Sequence, residues 1–196
     1  MSKNPESHLA QEEERKESLP PLPLFEKTIS EIETKTGKKV TGLDKWKNYQ
    51  EINDKLNGRV AIEEKWFPVI NGQLIEEING KKITFACDIQ NIDGKLNGIV
   101  TIEGKELPVI NGQLIEEING KKITSAWEIQ NIGGKLNGRV AVEGKWFPVI
   151  NGQLIEEIEG KKITNVGDIQ NIDGKLNGRV WIEREEVEVV LGKLVF

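Results

Sequence analysis

The sequence predicts an all-β fold with short helical linkers, made of four tandem repeats of about 40 residues. The first observation is that "PVINGQLIEEINGKKIT" at 68–84 returns unchanged at 108–124 and with one substitution at 148–164. The second is that Asn-Gly and Asp-Gly pairs separate short β-leaning runs, and these pairs favour type I′ hairpin turns. Windows starting at 68, 108 and 148 match at 31 and then 28 of 40 positions, so the units are expected to fold alike.

The chain begins with a segment that does not belong to the repeats. Residues 1–23 are polar, charged and rich in proline, and they offer little apolar surface to offset the entropy of ordering. We therefore expect a disordered tail there. A helix over residues 24–36 is a further possibility, since Phe25, Ile29 and Ile32 fall on one helical face.

Residues 24–196 are then expected to form a single β-repeat domain in which each unit is a four-stranded antiparallel meander. The runs in the first unit are "RVAIE" (59–63), "WFPVI" (66–70), "QLIEEI" (73–78) and "KKIT" (81–84). A longer link follows, in which "DIQNI" is predicted to form one helical turn with Asp88 as its cap. The predicted repeat sheets cover about 58–84, 98–124, 138–164 and 178–196.

The two ends of the repeat region predict how the units close. The last unit has no "KKIT", whereas "GKKVT" at 37–41 supplies such a strand near the N-terminus. Pairing between these ends predicts a closed four-bladed propeller-like ring, which would leave no exposed sheet edge. This unit layout resembles that of a small hemopexin-type propeller, but the motifs and the closing disulfide of that family are absent, so no function is implied. The alternative is an open, solenoid-like β-repeat array whose end units act as caps.

Composition and missing motifs narrow the classes of function. A net charge of −5 argues against nucleic-acid binding. The sequence contains no run of 18 apolar residues, so no membrane-spanning helix is expected. The only histidine, His8, lies in the tail, and Cys87 is the only cysteine, so histidine-based catalysis and familiar zinc sites are not expected. We therefore expect that the protein is not an enzyme, that it has no catalytic residues, and that it binds no metal and no cofactor. A soluble, cytoplasmic protein is expected.

Paired carboxylates recur in every copy of the long repeat and have a simple interpretation. Glu76 and Glu77 should point to opposite faces of a strand, which does not favour a glycosidase site. We expect them to be solvated and to form ion pairs across the hairpin with Lys81 and Lys82. In a closed ring, equivalent glutamates could instead gather at one end and hold a cation.

The positions that differ between units predict a binding face. One site alternates between Trp66, Glu106, Trp146 and Glu186. A second site has arginine in three units and isoleucine in the other, and the three linker residues after "KKIT" also differ between units. Tryptophan and arginine are favoured as interface anchors. The alternative is that these residues drift at loosely packed sites or fill core space. The candidate binding face comprises Trp66, Trp146, Trp127, Arg59, Arg139 and Arg179.

These observations predict a non-enzymatic tandem-repeat scaffold for protein–protein interaction or self-assembly. A carbohydrate- or small-ligand-binding module that uses the same tryptophans is the alternative function. A designed repeat protein without a natural ligand is a further alternative, because the copies are so regular.

Overall fold

The computed structural model describes residues 22–43 and 50–195, and the predicted disordered tail falls outside this range except at its last two residues. Helix α1 (Leu22–Thr36) begins two residues before the range that the apolar spacing predicts. Its inner side carries Ile32, which is buried, while Phe25 and Ile29 are half-buried. Gly37 ends the helix with a positive φ, and its N–H donates to Glu33 O at 2.8 Å.

The rest of the described chain is β-structure. The strands are β1 (Val40–Leu43), β2 (Gln50–Ile52), β3 (Lys55–Ile62), β4 (Lys65–Ile70), β5 (Gln73–Leu74), β6 (Glu77–Ile78), β7 (Lys81–Lys82), β8 (Phe85–Ile92), β9 (Lys95–Ile102), β10 (Lys105–Ile110), β11 (Gln113–Leu114), β12 (Glu117–Ile118), β13 (Lys121–Ile132), β14 (Lys135–Val142), β15 (Lys145–Ile150), β16 (Gln153–Leu154), β17 (Glu157–Ile158), β18 (Lys161–Ile172), β19 (Lys175–Ile182), β20 (Glu185–Val190) and β21 (Lys193–Val195).

These strands form four repeated antiparallel meanders, which confirms the predicted repeat architecture at this level. The first sheet has the order β1-β3-β4-β5 with β2 also on β3, and the second has the order β11-β10-β9-β8. The third runs from β12 to β16 and the fourth from β17 to β21, both in chain order, while β6 and β7 form a separate small hairpin.

The prediction of helical linkers is wrong for the described residues, where α1 is the only helix. The "DIQNI" link lies in β8, and its counterparts lie in β13 and β18. A bulge interrupts the pairing of β8 with β9 between Cys87 and Gln90, and Asp88 has a φ of 52° there. The bulge moves Ile89 onto the buried side after Ala86, a spacing of three that resembles a helical period in the sequence.

Gly98 explains why the landmark "LNG" contains a glycine. It has a φ of 138°, and a Cβ added there would lie 2.6 Å from the carbonyl oxygen of Asp88 in the bulge. The same approach is made by Gly138 to Glu128 and by Gly178 to Asp168. The glycine and the bulge therefore act together to let β8, β13 and β18 bend closely over β9, β14 and β19.

The strands of each meander also begin and end at residues other than those predicted. The run "QLIEEI" divides into β5 and β6, because Ile75 N–H leaves the ladder and donates to Pro68 O at 2.9 Å. In the second and third copies the "KKIT" run belongs to the sheet of the next unit, as in β13, where Ile123 pairs with Val142. The third and fourth sheets thus begin within the predicted end of the preceding unit.

The strand pairing predicted to close a ring is not formed. Strand β1 pairs with β3 of its own sheet, with Val40 opposite Ile62, and β21 pairs with β20. No ladder in the described residues joins the first sheet to the fourth, so they show no closed propeller. A continuous apolar core instead runs through successive units from Ile32 to Val189. Helix α1 packs against the first sheet through β1 and β3.

The hairpin turns are as predicted from their sequences. Asn71-Gly72, Asn79-Gly80 and Asp93-Gly94 have positive φ at both residues, as type I′ turns require. These tight turns fix the register of each meander, and so they fix which side chains share a face.

Candidate protein-interaction face

Three of the predicted face residues lie together on the third sheet. Trp127 in β13 is directly opposite Arg139 in β14, and Trp146 in β15 is opposite Ala141. Since side chains at i and i+2 share a face, Trp127, Arg139 and Trp146 project from the side opposite to the one that carries buried Val140 and Val142. We call this side of each sheet the tryptophan face.

The first sheet has an equivalent arrangement on its tryptophan face. The Arg59 guanidinium lies over the Trp66 ring, 4.9 Å from its centroid, and 6.0 Å from the Phe85 ring of the next sheet. Arg59 also donates to Ala86 O at 3.0 Å. Arg59 therefore spans the junction between two units and covers part of the Trp66 ring.

At the first two junctions, two of the variable positions differ as a pair. Where the first junction has Trp66 and Phe85, the second has Glu106 and Ser125, and the serine hydroxyl donates to the Glu106 carboxylate at 2.7 Å. An aromatic pair is thus replaced by a hydrogen-bonded pair at the same two positions. Packing between units accounts for part of the variation that the sequence analysis attributes to a binding face.

The other two arginines are held by carboxylates. Arg139 forms an ion pair with Glu128 at 2.8 Å and donates to Gly167 O of the next sheet at 3.2 Å. Arg179 lies in the last sheet, where it is exposed and bonds Asp168 at 2.9 Å and Glu186 at 3.2 Å. The hydrogen bonds to these two carboxylates raise the pKa of Arg179.

Trp127 differs from the other tryptophans of the described residues in its exposure. Its side chain is 51% exposed, whereas Trp66, Trp146 and Trp181 are half-buried. Trp181, which is not among the predicted face residues, stands where the third sheet has Ala141. Its ring lies against Gly167, where an added Cβ would be 3.1 Å from Trp181 Cζ3, so glycine at the Trp127 position makes room for it.

The units are joined by asparagines, a feature the sequence analysis missed. In the second sheet, Asn97 Oδ1 accepts from Asn111 N–H at 2.8 Å and from Asn131 Nδ2 of the third sheet at 2.7 Å. Asn131 Nδ2 also donates to Asn111 Oδ1 at 2.8 Å. Asn97 is 2% exposed and donates its own amide to Lys95 O at 3.0 Å.

The same triad recurs at each junction, and we call the set the Asn ladder. The sequence does contain a sign of the ladder, because asparagine, which is depleted in strands, recurs at the same strand position in every unit. The ladder consists of Asn57, Asn71 and Asn91; Asn97, Asn111 and Asn131; and Asn137, Asn151 and Asn171.

A second set of contacts between units uses the recurring glutamates, in a way that differs from the predicted one. Glu77 does lie opposite Lys82 in the hairpin register. However, Lys81 bonds Glu116 of the following unit and Glu76 bonds Lys38, so these two residues form ion pairs other than the predicted ones across the hairpin. The hydrogen bond to Glu116 raises the pKa of Lys81. Lys121 bonds Glu156 in the same way, so the pairs join successive units, and the described residues hold no cluster of three or more such carboxylates that could bind a cation.

Cys87 lies on the tryptophan face of the second sheet and is half-buried. Burial raises the pKa of its thiol to about 11, the nearby Asp88 and Glu106 carboxylates act in the same direction, and Arg59 opposes them. At neutral pH the group is therefore a protonated, weakly nucleophilic thiol.

Two kinds of feature are absent from residues 22–43 and 50–195, which are the residues that the structure describes. That part of the chain contains no cluster of three or more His, Cys, Asp or Glu side chains arranged to hold a metal ion. None of its helical structure is long and apolar enough to span a membrane.

Comparison with protein-family models, with curated proteins and with solved structures found no match for this chain.

Proposed function

We propose that this chain is a non-enzymatic repeat scaffold that binds another protein through the tryptophan face of its third sheet. The observation that carries the proposal is Trp127, which is 51% exposed and stands on a sheet whose neighbouring side chains are already engaged. An indole held out on a rigid sheet offers a large contact area at a small cost in conformational entropy.

The surroundings of Trp127 support an interface. Arg139, its cross-strand neighbour, is fixed by Glu128 and by the carbonyl of Gly167. A partner would therefore meet an aromatic anchor on a fixed surface, where the Arg139 side chain is only 15% exposed and Trp146 is half-buried on the same face. Such anchors at interface centres typically contribute about 2 kcal/mol or more, which is roughly a thirtyfold change in affinity.

The carbohydrate alternative has weaker support. A sugar ring stacks on an open aromatic face, but the Trp66 ring already has Arg59 over it at 4.9 Å. Titration of intrinsic tryptophan fluorescence with a panel of oligosaccharides tests this alternative, and saturable quenching would favour it over protein binding.

Self-assembly is a second candidate, favoured by the last sheet. Val190, Leu191 and Val195 are each more than 40% exposed, whereas Ile150, the counterpart of Val190 one unit earlier, is 5% exposed. Contact between two copies at this surface would bury these side chains. Sedimentation velocity over a range of concentrations, with Leu191→Asn restoring the residue found at Asn151, tests this candidate.

The experiment for the main proposal uses Trp127→Ala with Ile132→Ala as the matched control. Both remove an exposed large side chain from β13, and Ile132 is 41% exposed near the end of that strand. Immobilised protein of each type is incubated with lysate of the source cells, and captured proteins are quantified by mass spectrometry. We expect at least one protein to bind the wild type and Ile132→Ala equally, and Trp127→Ala about tenfold less or weaker still.

A captured protein is then purified, and its affinity for the three chains is measured by calorimetry. Equal affinity for wild type and Trp127→Ala would reject this face as the binding site. Loss of binding in both variants would point to a general effect on folding, which circular dichroism of the two variants would reveal.

A further inference from the structure

The chain contains nine Asn-Gly pairs, and they occupy three different environments. Asn-Gly is the dipeptide in which a backbone nitrogen most easily reaches the preceding side-chain amide, because glycine has no side chain to hinder the approach. Reactivity in the folded protein then depends on whether that nitrogen and that amide are free.

Three of these pairs are in turns that belong to the Asn ladder. The backbone N–H of Gly72 donates to Leu56 O at 2.9 Å, and Gly112 and Gly152 make the equivalent bond at 2.8 Å. The preceding amides are also engaged, since Asn71 and Asn111 accept hydrogen bonds from Asn91 and Asn131. Both the attacking nitrogen and the amide under attack are held in place.

Four more pairs lie within the long strands β3, β9, β14 and β19. The asparagines at 57, 97 and 137 are at most 2% exposed, and the following glycines pair with the adjacent strand. In the last sheet, Asn177 is half-buried, and Gly178 pairs with β18 and β20. Reaction at these sites requires the sheet to open.

The remaining two pairs, Asn79-Gly80 and Asn119-Gly120, are in a different situation. All four residues are exposed, and within the described residues neither the asparagine amides nor the glycine N–H groups have a hydrogen-bond partner. Each pair forms the turn of a hairpin whose ladder contains only two residue pairs. Such a short ladder opens at small cost compared with a full strand.

We propose that Asn79 and Asn119 are sites of spontaneous deamidation in the folded protein, and that the other seven Asn-Gly pairs are protected by the ladder and the sheets. The deprotonated Gly80 nitrogen attacks Asn79 Cγ, the bond from Cγ to the amide nitrogen breaks, and ammonia leaves with the formation of a cyclic succinimide. Water then opens the ring. Cleavage of the bond from nitrogen to Cγ gives aspartate, and cleavage of the bond from nitrogen to the backbone carbonyl carbon gives isoaspartate.

The product adds a negative charge to the turn that precedes Lys81 or Lys121. The third copy of this hairpin already carries an acid there, because Glu159 occupies the same turn position with a φ of 52°. The turn therefore accepts a carboxylate, and the aspartate product keeps the fold. The isoaspartate product lengthens the backbone by one methylene and disturbs the two-pair ladder beside it.

The test is peptide mapping by mass spectrometry after incubation of the folded chain at mildly alkaline pH. Conversion of amide to acid is followed at all nine asparagines. We expect Asn79 and Asn119 to convert at least about tenfold faster than the other seven, and we expect this difference to disappear in concentrated urea. The variant Glu159→Asn creates a tenth Asn-Gly pair, which should convert at the rate of Asn79.

The double variant Asn79→Glu/Asn119→Glu is the matched control, since it places the residue of the third hairpin in the other two. It should keep the wild-type circular dichroism and lose the fast phase of conversion. Conversion of Asn71, Asn111 or Asn151 as fast as Asn79 in the folded chain would overturn the proposal. So would slow conversion at Asn79 and Asn119, or a difference between sites that persists in urea.

Discussion

The substitution Asn97→Ala, which truncates one buried asparagine of the Asn ladder, should destabilise the protein more than truncation of an exposed asparagine would. The side chain makes three hydrogen bonds, to Lys95 O at 3.0 Å, from Asn111 N–H at 2.8 Å and from Asn131 Nδ2 at 2.7 Å. Truncation leaves the Lys95 carbonyl and the Asn111 N–H without that partner in a site that is 2% exposed. Asn131 keeps its bond to Asn111 Oδ1 at 2.8 Å.

The magnitude follows from those three losses. Two partly buried backbone groups without that partner cost about 1 kcal/mol each, and the lost amide–amide bond adds about 1 kcal/mol. We therefore expect the free energy of unfolding to fall by about 3 kcal/mol. A domain of ordinary stability has only about 5–15 kcal/mol in total, so this loss is easily measured.

The matched control is Asn177→Ala in the last sheet. Asn177 keeps the bonds to Lys175 O at 3.1 Å and from Leu191 N–H at 2.8 Å, but Leu191 stands in place of a ladder asparagine and the site is only half-buried. Water can replace both bonds there, so we expect a loss of about 1 kcal/mol. The difference between Asn97→Ala and Asn177→Ala therefore reports on the hydrogen bond from Asn131 to Asn97, which joins two units, together with the deeper burial of Asn97.

Urea denaturation followed by circular dichroism and by tryptophan fluorescence is the assay. Coincidence of the two transitions must be checked for each variant, because weakened junctions can make a repeat array unfold in stages. The reasoning is refuted if Asn97→Ala costs less than about 1 kcal/mol, or no more than Asn177→Ala. A double-mutant cycle of Asn97→Ala with Asn131→Ala should give a coupling near 1 kcal/mol.

Three further predictions concern single residues. Glu64→Gly should raise the free energy of unfolding by about 0.5–1 kcal/mol in urea titrations, since Glu64 has a φ of 65° where the next two units have glycine. No gain would contradict this prediction. Gly98→Ala should cost about 2–4 kcal/mol because of its 2.6 Å approach to the Asp88 carbonyl, against about 1 kcal/mol for the unobstructed Gly104→Ala, and equal costs would contradict it. At pH 7.5, alkylation of Cys87 by iodoacetamide should be roughly a hundredfold slower in the folded chain than in urea, because its pKa is about 11. The alkylation rate should rise with pH up to that value. Because the thiol of the unfolded chain ionises first, Cys87 lowers the free energy of unfolding as the pH rises from the ordinary thiol pKa towards 11.

The parts of the fold that the sequence predicted are the local ones. Asn71-Gly72 and Asn79-Gly80 determine their own turns through backbone preferences, and two-residue turns force neighbouring strands to pair. The pairing of β1 with β3 depends instead on contacts that span a segment of unlike sequence, which turn chemistry does not determine. The linker was misread because the bulge at Asp88 gives a strand the spacing of a helix.

The candidate face was predictable in composition but not in geometry. The register that turns fix does place Trp127, Arg139 and Trp146 on one side of a sheet. What the sequence could not indicate is that Arg139 reaches a carbonyl of the next unit, or that Trp66 is partly covered by Arg59. Those contacts depend on how one sheet sits beside the next, which no single unit encodes.

The junctions show how this chain combines near-identical units with different surfaces. The Asn ladder is made by residues common to every junction, and each of its bonds recurs with nearly the same length, so it can hold any unit to the next. Stability that is shared in this way leaves the tryptophan face free to change. At the first two junctions the residues there differ as pairs, Trp66 with Phe85 and Glu106 with Ser125, whereas at the third junction Trp146 stands with Asn165. Trp127 does not fit that pattern, because the junction contacts around it are made by Arg139 and the indole remains more than half exposed. Packing between units therefore accounts for the other variable positions named here but not for this one, and for that reason we propose that Trp127 faces a partner.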